Sequence, residues 1–341
     1  MLIEKEGQQV RSVAYVAEIT NIQGIPDADF IALAQVNNSW TSVVKKGEFQ
    51  IGDKVIYCEI DSFIPNSIAP FLTQVGKFPK EYQGIKGERL KTKKLKGCLS
   101  QGLILPCSIL PEGFGGQCCM EALGIVKYEP EESANLRGKP AGNFPSCIPK
   151  TDQERIQNLD RTLEKWSSEG LTWEVTEKLE GSSMTCYLDE EGNFQVCSRN
   201  LSLKEDPDNT FWKVAIAQGI KQRMLENNML GYALQGELIG EGIQGNIYNL
   251  KGHDFYVYDI FKVGEGYLSP NERWSFITSL GLKHAPLIAT CEETPSISLA
   301  LELASNKSKL YNTEREGVVY KCNEKPASFK AISNNYLLKQ K

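Results

Sequence analysis

From residue 10 to about residue 110 the chain is a succession of short β-prone runs cut by turn residues. Val13-Tyr15, Ile31-Val36, Trp40-Val44, Lys54-Ile60 and Gly102-Leu105 are rich in β-branched and aromatic side chains. Asn37-Asn38, Lys46-Gly47 and Ile51-Gly52-Asp53 supply turns between them. Short strands joined this tightly fit a small closed barrel, and an OB-fold is the natural candidate.

A chain of 341 residues is long enough for two domains with separate cores. Hydrophobic residues make up 41% and charged residues 24%, the balance of an ordinary globular protein. No apolar stretch approaches the roughly 20 residues that span a bilayer. Met1-Leu2-Ile3-Glu4-Lys5-Glu6 has no apolar signal core, so no membrane association and an intracellular location, cytoplasmic or nuclear, are expected. Ten cysteines are scattered without a CxxC pair, and His253 and His284 are the two histidines, which argues against structural zinc. Free thiols in a reducing compartment are the expected state. The net charge of -5 leaves any nucleic-acid contact to a local basic patch. One such stretch is residues 86–96, where Lys86, Arg89, Lys91, Lys93, Lys94 and Lys96 face a single acid, Glu88. It can follow a phosphate backbone or be a solvated hairpin.

Residues 126–150 are rich in Pro, Gly, Glu and Ser and read as a linker between a first domain, 1–125, and a second, 151–341. Thr151-Asp152-Gln153-Glu154 has the form of a capping box, which predicts a helix opening there and running toward Trp166. Strands and helices mix beyond it, with a helix predicted from Asp208 to Leu225.

The chemistry centres on Lys178, in Glu177-Lys178-Leu179-Glu180-Gly181, at the end of the strand-like run Leu171-Thr176. Alone, Lys-x-Glu-Gly is equally an exposed strand end with a turn. Five segments follow it in order: Cys197-Ser198-Arg199-Asn200, Leu234-Gln235-Gly236-Glu237-Leu238-Ile239-Gly240, Phe255-Tyr256-Val257-Tyr258-Asp259-Ile260-Phe261, Glu316-Gly317-Val318-Val319-Tyr320-Lys321 and Ser328-Phe329-Lys330-Ala331-Ile332. In order, spacing and residue type the series resembles the nucleotidyltransferase motifs of ATP-dependent ligases and mRNA capping enzymes. Over nearly the whole chain it is most similar to the RNA ligases of the Deinococcus and Naegleria type.

That resemblance implies an α+β protein, an N-terminal OB-fold barrel followed by a nucleotidyltransferase domain of ATP-grasp-like antiparallel sheets with helices. In DNA ligases and capping enzymes an OB domain follows the last motif; here only a short tail follows Ile332, and the OB-like part lies in front. The implied reaction has three steps. Lys178 attacks the α-phosphorus of ATP and releases pyrophosphate; the AMP passes to a 5′-phosphate; a 3′-hydroxyl then attacks and expels AMP. Free lysine has a pKa of about 10.4, so a divalent cation and Lys330 are needed to disfavour the ammonium.

Further roles follow from the same resemblance. Glu180, Glu237 and Glu316 would hold Mg2+ or Mn2+, directly or through water, and Lys330 would contact the α-phosphate. Glu177 would accept from the adenine amino group, Gly181 would let the backbone approach the nucleotide, Tyr258 would stack on the purine, and Arg199 would meet the ribose or an RNA 5′-phosphate. Taken singly, each glutamate is also a surface salt bridge, Tyr258 a core aromatic and Arg199 a surface arginine. Glu180 stands where the family often has Asp, and Ile332 where it commonly has a second lysine. In this setting the basic stretch is expected to bind RNA. The expectation is an ATP-dependent RNA ligase, a monomer, acting on RNA and on nicks in duplex RNA in particular. The rivals are a DNA ligase, a capping guanylyltransferase and an inactive nucleic-acid-binding protein; the full set Lys178, Glu237, Glu316 and Lys330 weighs against the last.

Overall fold

The computed structural model describes residues 2–5, 8–129 and 136–340, so residues 130–135 of the expected linker lie outside the described residues. Two compact units form. One takes Met1–Pro130, Glu154–Thr162 and Leu337–Lys341, the other Glu131–Gln153 and Leu163–Tyr336.

In the first unit, five antiparallel strands lie in the order Leu103–Pro106, Lys54–Cys58, Ala14–Gly24, Ile31–Val36 and Trp40–Lys45. Each overlaps a β-prone run of the sequence, and Ala14–Gly24 extends well beyond the expected Val13-Tyr15. Ala14–Gly24 pairs through its first half with Lys54–Cys58 and through its second with Ile31–Val36. A bulge between Ile19 and Asn21 separates the halves and adds the local coil that lets one strand serve both neighbours. Alternation buries Ala32, Ala34 and Val36, while Trp40, Tyr15 and Tyr57 fill the interior with ring centroids 5.8 Å apart. A buried aromatic of this size removes about 200 Å² from water, worth at most about 5 kcal/mol at about 25 cal/mol per Å².

The predicted helix start at Thr151 is not what forms. Glu154 lies in a two-residue strand, Glu154–Arg155, and is buried. Its carboxylate is paired with Arg11 and accepts from Asn158 Nδ2 at 2.9 Å, so it cannot turn back to cap residue 151. Asn158 in turn accepts from Trp40 Nε1 at 2.7 Å. These buried polar contacts outweigh the local capping signal, and the α-helix begins only at Asp160, running to Ser168.

The second unit is built on two antiparallel sheets. The larger follows the order Pro140–Asn143, Leu201–Leu203, Phe194–Cys197, Ser182–Leu188, Tyr232–Gly240, His253–Lys262 and Gly266–Tyr267, with Lys283–His284 parallel to His253–Lys262. The smaller includes Ser328–Ile332, Gly317–Cys322, Trp173–Lys178 and Leu287–Cys291 in that order. Met184, Leu234, Phe255 and Val257 of the larger sheet pack on Phe211, Trp212, Ile220 and Met224. The stretch expected as one helix from Asp208 to Leu225 is two, Thr210–Ala217 and Ile220–Glu226, parted by Gly219 in the left-handed conformation. Asn209 caps the first, accepting from the amides of Phe211 and Trp212.

Behind the strands that carry the motifs lies a buried ion network. Arg273 pairs with Glu174 and donates from Nε to His284 Nε2 at 2.9 Å, so His284 is neutral, its pKa pushed down to about 3 mainly by burial. Lys321 Nζ lies 2.7 Å from Asp259 Oδ1. These bonds tie Trp173–Lys178, His253–Lys262, Gly317–Cys322 and the helix Pro270–Ser279 to one another. No helix of the described residues is long and apolar enough to cross a membrane.

Candidate active site

Trp173–Lys178 is buried along its length and surfaces at Lys178. Its register sets Lys178 opposite Gly317, so Glu316, one residue earlier, arrives beside the lysine. Lys178 Nζ donates to Glu316 Oε1 at 2.7 Å. Glu237 comes from the neighbouring sheet, opposite Ser183 on one side and Tyr256 on the other. Its pKa is pushed up to about 8, mainly by burial; Lys178 and Arg199 oppose the shift, and Glu316 and Glu180 add to it. These four groups therefore share one electrostatic site with Glu237.

Glu180 behaves differently from Glu237 and Glu316. Its carboxylate turns into the loop that follows Tyr232–Gly240, accepting from Gly245 N at 3.0 Å, Ile247 N at 3.2 Å and Tyr336 Oη at 3.3 Å. Burial raises its pKa, and the two amides pull it back. Its backbone amide donates to Tyr248 Oη at 2.7 Å. Among the described residues no three of His, Cys, Asp and Glu converge as direct ligands of one ion. Magnesium and manganese are held by one or two carboxylates and otherwise keep waters and substrate phosphates. Glu237, Glu316 and Glu180 are the carboxylates that share the electrostatic surroundings of Lys178.

Gly181 approaches Leu238 so closely that an added Cβ would lie 2.4 Å from the Leu238 carbonyl oxygen. At Gly317 an added Cβ would lie 2.2 Å from Ala331 O. Glu177 is buried; its Oε2 accepts from Lys309 N at 2.8 Å, whereas Oε1 has no hydrogen-bond partner among the described residues. Burial raises its pKa. Tyr258 Oη lies 2.9 Å from Thr151 Oγ1, and Lys321 Nζ sits 5.4 Å above its ring. Arg199 Nη2 donates to Asp152 Oδ2 at 2.8 Å, and Lys330 Nζ lies 3.9 Å from Asp152 Oδ1. Ile332, two residues beyond Lys330 and on the same face of the strand, is buried.

Sequence reading missed Asp152, Thr151 and Tyr256. The alternation of Phe255-Tyr256-Val257-Tyr258 already puts Tyr256 on the face of Tyr258. Asp152 carries no local signal, because it reaches the site by a return of the chain rather than by spacing.

In the first unit Lys86, Lys93, Lys94 and Lys96 are exposed, the last three on the hairpin of Lys93–Leu95 and Cys98–Ser100. Arg89 is already taken, 2.5 Å from Asp61 and 4.7 Å from the Tyr128 ring. Lys91 is half-buried, and burial lowers its pKa.

Comparison with known proteins places these observations. An RNA ligase family model matches residues 171–332, and an OB-fold domain model matches residues 13–107. A lysine-to-alanine mutant of Naegleria gruberi RNA ligase with ATP and Mn is 42% identical, with a TM-score of 0.90 over 96% of this chain and 99% of that one. A glutamate-to-alanine mutant of the same ligase with AMP and Mn is 42% identical, with a TM-score of 0.90 over 97% and 99% of the two chains. That ligase with PPi is 41% identical, with a TM-score of 0.89 over 97% and 99%. No curated protein matched the chain in a sequence search. The fold is thus the expected OB-fold domain followed by a ligase domain, and the chain belongs to the RNA ligase family, of the type represented by the Naegleria enzyme.

Proposed function

We propose that this RNA ligase uses ATP and a divalent metal to join a 3′-hydroxyl to a 5′-phosphate through a lysyl-AMP on Lys178, and that its substrate is a nick in duplex RNA. The observation that carries this reading is the delivery of Lys178 and Glu316 to within 2.7 Å by strand register, with Glu237 felt electrostatically by both. The solved relatives with ATP, with AMP and with PPi, two of them with Mn, support ATP as the nucleotide and a divalent ion as its companion.

Glu316, Glu237 and Glu180 would hold the metal, directly or through water, and the ion would supply charge neutralisation at the phosphates. Lys178 loses its proton to solvent, and its neutral amine attacks the α-phosphorus, forming the N–P bond as the bond to pyrophosphate breaks. Lys330 and Arg199 are cations within reach of the phosphates, joined to a common carboxylate. Glu177, with one buried acceptor unpartnered, takes the adenine amino group. Tyr258 and Tyr256 line the face on which the purine stacks. The exposed Lys86, Lys93, Lys94 and Lys96 follow the RNA backbone. An intracellular location, cytoplasmic or nuclear, belongs to the same reading.

The test is incubation with labelled ATP or labelled GTP and Mg2+ or Mn2+, a denaturing gel, and then a nicked RNA duplex. Label transferred to protein from ATP alone, followed by sealing, is the expected result. No adduct from either nucleotide would mean a binding protein, and an adduct from GTP a guanylyltransferase.

A further inference from the structure

Residues 148–152 are fastened to the larger sheet residue by residue. Ile148 is buried beside Tyr187 and Ala233. The Pro149 carbonyl accepts from Gln235 Nε2 at 2.9 Å, Lys150 Nζ donates to Asn200 Oδ1 at 2.8 Å, and Thr151 Oγ1 meets Tyr258 Oη at 2.9 Å. Asp152 follows, and its two oxygens are divided between Arg199 at 2.8 Å and Lys330 at 3.9 Å. The end of the segment read as a linker and the stretch read as a helix start thus carry a carboxylate into the candidate nucleotide site, where it falls on Arg199 and Lys330.

A carboxylate shared by two such cations has the charge, and with Arg199 the hydrogen bond, that a phosphate oxygen would have. We infer that Asp152 is an internal anion that holds Arg199 and Lys330 in place of the nucleotide's phosphates, and that an incoming nucleotide must displace it. This rests on the reading of Arg199 and Lys330 as phosphate contacts. Asp152 is a positioning residue: it keeps two like charges side by side, and it weakens nucleotide binding by the ion pairs that have to break. Asp152 and Arg199 are both exposed, with side chains 46% and 42% accessible, so the effect is that of a surface pair rather than a buried one. It also has a direction. Neutralising Asp152 removes its ion pairs with both cations and a negative charge that repels a polyanion, so nucleotide affinity rises.

The experiment compares ATP dissociation constants by equilibrium dialysis in the full-length Lys178→Ala background, where no adduct forms, together with KM for ATP in protein–AMP formation by the Lys178 enzyme. Asp152→Asn keeps the shape and loses the charge. It is expected to tighten ATP about three- to tenfold, as loss of one or two exposed pairs implies, and to lower KM with kcat changed less. Asp152→Glu is expected to return both values toward the parent. Arg199→Ala and Lys330→Ala weaken ATP binding if the underlying reading holds. If these two leave it unchanged, the phosphate assignment fails and the inference with it. If they weaken it while Asp152→Asn binds ATP no more tightly than the parent, or less tightly, the inference alone is overturned. Melting temperature identifies a misfolded variant, for which Asp152→Ser is then measured against the same criterion.

Discussion

Glu316 holds the Lys178 ammonium at 2.7 Å from the far side of a strand pair, and nucleophile and carboxylate are positioned by the same register. An amine held this way is charged and cannot attack phosphorus until the proton leaves. Lys178→Ala should abolish the covalent protein–AMP adduct altogether. Sealing of RNA that already carries a 5′-adenylate should partly survive, because that step does not use the amine. A denaturing gel with labelled ATP checks the first outcome and a pre-adenylated nick the second; an adduct of normal yield would end this assignment.

Removal of either carboxylate beside the lysine should lower ligation by about 100-fold or more, through loss of charge neutralisation at the phosphates. Glu237→Ala and Glu316→Ala are the variants, and circular dichroism is the control for folding. Near wild-type ligation by both would make these residues structural.

The pH dependence follows from Glu237, whose pKa is raised from an ordinary 4.5 to about 8. A carboxyl group with a raised folded-state value favours the fold while protonated, so its contribution is complete below about pH 4.5 and is lost as pH rises through 8. The Tm of the metal-free protein should fall across that window, and Glu237→Gln should flatten the fall. Added Mg2+, which favours the ionised carboxylate, should raise Tm more at pH 8 than at pH 6. Superimposable Tm–pH curves for wild type and variant would contradict the assignment.

Choice of base can be tested at Glu177. A carboxylate acceptor suits the amino group of adenine and repels the carbonyl oxygen that guanine has there, whereas Gln can turn its amide and donate to that oxygen. Glu177→Gln should narrow the preference for ATP over GTP by about tenfold or more, read as the ratio of kcat/KM for protein–nucleotide formation. An unchanged ratio would place base selection elsewhere.

On the first unit, joint replacement of Lys93, Lys94 and Lys96 by Ala should weaken RNA binding and flatten its salt dependence. Each lost phosphate contact takes about 0.7 to 0.9 from the slope of log K against log salt. Formation of protein–AMP serves as the control for folding. An unchanged slope would assign the hairpin to solvent.

Strand existence was legible because the barrel runs alternate and are bounded by turn residues; all five runs overlap observed strands, although Ala14–Gly24 continues well past the expected run Val13-Tyr15. The helix start at Thr151 was misread because a local capping pattern was weighed without the long-range partners of Glu154, which are Arg11, Glu59-linked Asn158 and the burial they impose. Asn209, by contrast, caps a helix that the sequence predicts to begin at Asp208: its Oδ1 accepts from the amides of Phe211 and Trp212 while its Nδ2 donates to the Leu136 carbonyl, so the long-range partner does not compete with the cap. The motif positions could be found as a set, yet their contacts could not. That Glu180 would spend both oxygens on Gly245 and Ile247, and that Asp152 would bridge Arg199 and Lys330, depends on loops whose paths leave no periodicity to read.

Gly181 against the Leu238 carbonyl and Gly317 against that of Ala331 bring main chain onto main chain on either side of Lys178. Peptide groups therefore act as a gauge for where the lysine stands, and at Gly181 the Glu237 and Ile239 side chains close on the same point. A single methyl at either glycine, far smaller than most core replacements, is expected to push the reacting groups apart.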